Sequence, residues 1–325
     1  MELLVLLGLV AVGVTLSSLV DFSSDEDADP ITRTDGTEGD DTIIGGEGRD
    51  LLIGAAGADS LDGGAGDDQL EGGFGDDLLQ GGAGDDALLA ARGEDTLFGG
   101  DGSDFLYGGV GDDSLSGDAG EDLLDGGQGE DTQIGGAGND ILFGIHDSER
   151  DGVIDAADLL DVDRMECGAG QDIFFMGTGD VANGGAEGDA FLTGTYVDGS
   201  QPPVVEDFTP GEDRLVIQVP EGATGTVGIS SDSGAAVVTV NGQAVARLEG
   251  VAGSVTSWIS LFLKPRHFGL RFHKLLTLNS SAGVDTLSGA RKIDLLQTRR
   301  ATAAALFQSG CAIWQLCHDF SAFVV

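Results

Sequence analysis

Twelve aspartates recur at an unbroken spacing of nine: Asp41, Asp50, Asp59, Asp68, Asp77, Asp86, Asp95, Asp104, Asp113, Asp122, Asp131 and Asp140. Twelve glycines keep step two residues ahead of them: Gly39, Gly48, Gly57, Gly66, Gly75, Gly84, Gly93, Gly102, Gly111, Gly120, Gly129 and Gly138. A carboxylate is a hard oxygen ligand. Glycine lets the backbone take positive φ and turn sharply enough to aim carbonyl oxygens at one point. Such a loop suits calcium, which accepts about six to eight oxygens in a flexible geometry. Magnesium demands a stricter octahedron and holds its waters, and zinc is disfavoured because the repeats contain neither histidine nor cysteine.

The loops need elements to position them, and the same period supplies these. Cut into nine-residue blocks from Gly36, the chain carries twelve blocks over residues 36–143. The first position is glycine in all but Ala90, and the eighth is leucine or isoleucine in all but Gln133. The last three residues of each block read as a short strand, whose side chains alternate faces. The eighth residue then points inward, giving a ladder from Ile43 through Leu52, Leu61 and their successors to Leu142. The blocks beside Ala90-Ala91 and Gln133 depart most from the pattern.

Charge sets the conditions under which such a ladder can form. The chain holds 57 acidic and 15 basic residues, a formal net of −42. Nucleic acid is excluded as a partner, since binding it requires a basic face. Residues 36–143 alone hold 27 acids against two arginines. Repulsion on that scale opposes folding, and a one-residue apolar ladder does not overcome it without counter-cations. Metal binding and folding are therefore expected to be one event. The competing reading, a disordered acidic glycine-rich linker, gives no reason for aspartate to stay in phase twelve times.

The consensus G-G-x-G-x-D-x-U-x resembles the RTX calcium-binding nonapeptide. The resemblance implies an all-β fold: a right-handed parallel β-roll of nonapeptide repeats, followed here by a smaller antiparallel β cap. It also implies two blocks per coil, hence six coils and a stack roughly 29 Å long. Each calcium would sit between loops of successive coils on one side, giving roughly ten ions and, at two charges each, nearly cancelling the repeats' net charge. The twelve aspartates and the twelve glycines named above are the metal-site candidates that the resemblance supplies.

Outside the repeats the signals are weaker. Residues 3–20 are an uncharged apolar run, read within 1–22 as a hydrophobic anchor or signal segment and a possible membrane contact. Residues 23–35 read as an acidic linker. Residues 147–158, DSERDGVIDAAD, resemble an EF-hand or dockerin calcium loop, with Asp147, Glu149, Asp151, Asp155 and Asp158 as candidate ligands and Gly152 at the sharp turn. Residues 167–175 form a degenerate block with Gly170 and Asp172 in phase, Asp172 being a further candidate. Residues 204–219 read as strand, Pro-Gly turn, strand, and resemble the segment that follows RTX repeats in type I secreted proteins. Asn241-Gly242 marks a hairpin, so an antiparallel cap is expected within 144–263. Residues 264–325 turn basic, with eight basic and three acidic residues, and read as a divergent tail with one degenerate block at 281–289. Cys167, Cys311 and Cys317 cannot build a disulfide framework, and His267, His273 and His318 read as incidental.

Three functional classes stay open. The first is a non-catalytic extracellular or cell-surface calcium-binding protein of a Gram-negative bacterium, exported by type I machinery. Calcium that is scarce inside the cell and plentiful outside would then fold the chain only after export. The second is an adhesin or surface-layer component, with Leu89, Phe98, Phe105 and Tyr107 as an outward patch. The third is an accessory module of a secreted hydrolase. Only residues 1–35 precede the repeats, and H-E-x-x-H and G-x-S-x-G are absent, so no enzyme is expected.

Overall fold

A computed structural model describes residues 31–145, 161–219 and 226–251, with the short strands Ile259–Leu263, Leu276–Thr277 and Val284–Thr286 beyond them. The apolar run at 3–20, the loop at 147–158 and most of the tail lie outside the described residues.

As far as Arg214–Val219, successive strands go alternately to two sheets, and each pairs in parallel with the next strand of its own sheet. Within the nonapeptides that partner lies eighteen residues on, as in Leu61 with Leu79 and Leu88 with Leu106. Two blocks therefore make one coil, and the molecule is a β-roll of the expected kind. A strand before the first block, Thr32–Asp35, pairs with Asp50–Ala56 and adds a rung the repeat did not foretell.

The strands are longer than three residues. Ser60–Ala65 and Leu78–Ala83 each run from the seventh position of one block through the third of the next. Only the tight turn at positions four to six interrupts them, because that is where the glycine-assisted reversal sits.

The core is the predicted ladder. Leu52, Leu61, Leu70, Leu79, Leu88, Leu97, Leu106, Leu124 and Leu142 are wholly buried, and Ile43 and Leu115 nearly so. Gln133 takes the inward place too, fully buried, and its amide nitrogen donates to the Phe143 carbonyl at 2.7 Å. One carbon-rich side chain per nine residues is a thin core, and polar loops enclose it on both edges.

Parallel stacking continues past Phe143. Gln133 pairs with Met165, Leu142 with Phe174, Met165 with Ala182, Phe174 with Phe191 and Phe191 with Leu215. Aromatic rings take over the core here: Phe174 stacks on Phe191 at 4.9 Å between centroids, and Phe208 closes on Phe191. The two strands of 204–219, Val204–Val205 and Arg214–Val219, belong to opposite sheets of the roll. Antiparallel structure begins only at Thr226–Asp232, Ala235–Val240 and Gln243–Leu248. The last of these pairs in parallel with Val204–Val205, so the antiparallel strands extend one sheet of the roll. The Asn241-Gly242 turn has positive φ at both residues, as a two-residue hairpin requires. Val284–Thr286, inside the degenerate block at 281–289, pairs antiparallel with Thr226–Asp232 and is no coil of the roll.

Two members of the expected outward patch are buried. Leu89 and Phe105 are only 7% and 5% exposed, while Phe98 is 38% exposed. Leu89 lies beside Tyr107 in the next coil, and Phe105 between Ala87 and Leu123. Side chains on the outer face cover one another along the stack. No helix among the described residues is long and apolar enough to cross a membrane.

Candidate metal centres

Most turns are shaped by glycine at three positions, for two different reasons; Ala90 stands at position one, and Ala55, Ala91 and Asp118 hold positive φ at position two. At positions two and four φ is positive, as at Gly64 (103°) and Gly66 (126°). At position one φ is ordinary, and the constraint is space. A methyl group on Gly81 would strike Oδ2 of Asp86 and the Gly99 carbonyl oxygen, and the same clash recurs from block to block. At position four the loops nearly touch: a methyl on Gly75 would strike the Gly57 carbonyl oxygen, which faces it from the preceding coil. Gly39, in the first block, shows neither feature. The position-four carbonyls thus face the gap between coils from Gly48 onward, which the sequence could only suppose.

The aspartates at position six form two columns. Asp59 Oδ1 accepts the Asp41 backbone N–H at 2.7 Å, and the same bond links Asp59 to Asp77, Asp77 to Asp95, Asp95 to Asp113 and Asp113 to Asp131. The other column runs Asp50, Asp68, Asp86, Asp104, Asp122, Asp140 by the same contact, at 2.7–3.0 Å. Each carboxylate reaches back to the coil before it.

The columns continue where the period of nine fails. Asp131 is joined to Asp163 and Asp163 to Asp180, while Asp140 leads to Asp172, Asp189 and Asp213. Asp163, Asp180, Asp189 and Asp213 were not among the sequence candidates, because their spacing is no longer a multiple of nine. The candidate Asp172 takes its place in the second column.

The second carboxylate oxygen separates the middle of the columns from the ends. Oδ2 of Asp50, Asp59, Asp68, Asp77, Asp86, Asp95, Asp104, Asp113, Asp122, Asp131, Asp140 and Asp172 is buried with no hydrogen-bond partner. At the ends the turn itself satisfies it. Asp41 Oδ2 accepts the Thr37 N–H and hydroxyl, Asp180 Oδ2 the Gly177 N–H and Asp213 Oδ2 the Thr209 N–H. A buried anionic oxygen without a partner is strongly disfavoured, so a row of twelve fits a cation in each gap. All are hard oxygens in a flexible loop, the donor set calcium takes.

A third row of carboxylates escaped the sequence reading. Position five is acidic in eight blocks, and where it is aspartate the side chain reaches forward to the next coil. Asp67 Oδ1 accepts the Asp85 N–H at 3.1 Å, Asp76 that of Glu94 at 3.0 Å and Asp112 that of Glu130 at 3.0 Å. The forward-reaching Asp67 and the back-reaching Asp86 therefore flank one gap. The excess of acid at position five was the signal that could have found them.

Electrostatics agrees with the geometry. Burial, opposed by the backbone hydrogen bond and reinforced by neighbouring carboxylates, pushes Asp86 and Asp113 up to about 8. Asp77, Asp122 and Asp131 rise to about 7, and Asp68, Asp95, Asp104 and Asp140 to about 6, for the same leading reason. The position-five acid of the coil below is among the repelling charges on Asp86, Asp95, Asp104, Asp131 and Asp140. Without a cation these carboxyls resist ionisation. The remaining candidates, Asp147, Glu149, Asp151, Asp155 and Asp158, lie outside the described residues.

Stacked parallel coils with two inward-facing acid columns define a calcium-binding β-solenoid. The family model of the RTX calcium-binding nonapeptide repeat matches residues 35–70, 62–97, 98–133 and 134–144. Residues 35–144 are RTX-type calcium-binding repeats. No curated protein matches the chain. The acid columns reach well beyond the matched residues, to Asp180 and Asp213.

Proposed function

We propose that this chain is a non-catalytic extracellular scaffold whose roll folds as calcium fills the two acid columns. The observation that carries the reading is the row of twelve unpartnered Oδ2 atoms. The residues that would hold the ions are the position-six aspartates from Asp50 to Asp140, with position-four carbonyls and position-five acids at the rim. Within the nonapeptides each column holds six aspartates and five gaps, so one ion per gap gives roughly ten ions. Bound calcium would supply the positive charge that lets these carboxylates stay ionised while buried. In its absence, at neutral pH, repulsion along each column and the thin leucine ladder leave the unfolded chain favoured. A chain that folds only in calcium-rich surroundings suits passage through type I export machinery, with folding completed outside the cell.

A second reading, an adhesin or surface-layer role, draws on one observation. Phe74, Val110, Ile44 and Ile134 stand exposed on the outer faces of the coils. Arg92 covers part of this surface, lying over the Phe74 ring at 5.6 Å.

Calcium titration at neutral pH tests the main proposal, followed by far-ultraviolet circular dichroism and by calorimetry for stoichiometry. β signal should appear cooperatively with calcium, and magnesium should not replace it. An equally strong β signal in chelator at the same pH would refute coupled folding.

A further inference from the structure

One gap in the second column differs from the rest in its chemistry. Cys167 occupies position one of its block, where the repeats keep glycine in all but Ala90 and Oδ2 of the aspartate five residues on lies against that space. Here that aspartate is Asp172. The thiol sulfur and one carboxylate oxygen each of Asp140 and Asp172 lie within 4.8 Å of one another. Both aspartates are only 1% exposed, and Oδ2 of each is among the unpartnered atoms. Cys167 is half-buried and free of any disulfide.

We propose that Asp140, Cys167 and Asp172 form a separate site for a thiophilic divalent cation of the zinc group, set within a column of calcium-type sites. The proposal rests on reading the columns as cation sites, and adds that this gap selects a different metal. Sulfur is a poor ligand for calcium but a strong one for zinc and its heavier relatives, which also accept carboxylate oxygen. Binding replaces the thiol proton: the S–H bond breaks, a sulfur–metal bond forms and the proton leaves to solvent. Three anionic ligands then face two positive charges, with a fourth position left for water or a backbone carbonyl. Zinc bonds of about 2.0–2.3 Å place tetrahedral ligands about 3.5 Å apart. The three ligand atoms lie within 4.8 Å of one another, and a larger thiophilic ion such as cadmium, with longer bonds, needs less closure around it than zinc.

The test uses the full chain with Cys311→Ser and Cys317→Ser, folded in calcium and titrated with cadmium. The expected result is an ultraviolet sulfur-to-metal charge-transfer band that saturates at one equivalent. Cys167→Gly, which restores the repeat's own residue, should abolish the band and keep the calcium-dependent circular dichroism. In the unsubstituted chain, zinc should slow alkylation of Cys167 at least tenfold, read by peptide mapping. No band in the parent, an equal band in Cys167→Gly, or alkylation indifferent to zinc would overturn the proposal. Loss of the calcium-dependent circular dichroism response in the parent would instead count against the calcium reading, so the two failures are distinguishable.

Discussion

Acid should do for the metal-free roll what calcium is proposed to do at neutral pH. Ten aspartates of the columns, Asp68 to Asp140 together with Asp172, have folded-state pKa values of about 6 to about 8, against 3.8 for an unperturbed aspartate. Desolvation is the leading cause at every one. A carboxyl whose folded pKa is raised binds more protons folded than unfolded. Its contribution is therefore greatest below about pH 4 and is lost as pH climbs through 6 to 8. Allowing for solvent screening at the loop rims, about 1 kcal/mol apiece is a conservative figure, or on the order of 10 kcal/mol across the ten. That equals the whole stability of an ordinary domain. In chelator, then, far-ultraviolet circular dichroism should show little β structure at pH 7.5 and recover it near pH 5. Sedimentation should run alongside, because the sequence pI of 4.1 lies close and invites association. With calcium the dependence reverses, since the ion needs the carboxylate, and apparent affinity should climb with pH. A chelated protein with equal β content at pH 5 and 7.5, as a monomer at both, would refute the argument.

Three substitutions extend the reasoning. Leu97→Ala removes a wholly buried rung and should cost about 2–5 kcal/mol, seen as a higher calcium midpoint in the folding titration. Ala91 holds φ at 87° where the repeats prefer glycine, so Ala91→Gly should stabilise the calcium-loaded roll by about 1 kcal/mol in thermal melts. Gly81→Ala drives a methyl against Asp86 Oδ2 and the Gly99 carbonyl, and should destabilise by about 1–3 kcal/mol while lowering calcium stoichiometry by calorimetry; unchanged stability and stoichiometry would show that the turn absorbs the methyl, as it does at Ala90, and would refute the space constraint at this block.

The period of nine made most of the roll legible. It located the leucine ladder and the recurring aspartates as far as Asp140, the family resemblance implied their division between two sides, and the period placed Gln133 inside even though a polar residue is a poor guide to a core position. The Asn241-Gly242 hairpin was equally plain, because only a few residues accept positive φ in succession. What stayed hidden had lost the period. From Asp131 to Asp163, Asp163 to Asp180 and Asp189 to Asp213 the steps are 32, 17 and 24 residues, so no fixed spacing reveals Asp163, Asp180 or Asp213. The inward residues there, Met165, Phe174, Ala182 and Phe191, share burial but not side-chain type. The space constraint at position one was also invisible, since a glycine needed for room and one needed for positive φ look alike in sequence. The outward patch failed for a related reason: alternation tells which face a side chain leaves from, not what the neighbouring coil lays over it.

The step from Asp131 to Asp163 carries fourteen residues more than a coil of eighteen, yet the Asp131 N–H still meets Asp163 Oδ1 at 2.9 Å. The rungs stay in register although the number of residues between them has changed. Register along the solenoid is accordingly set by contacts between coils and not by chain length, so added residues between two rungs should leave the rung above and the rung below aligned.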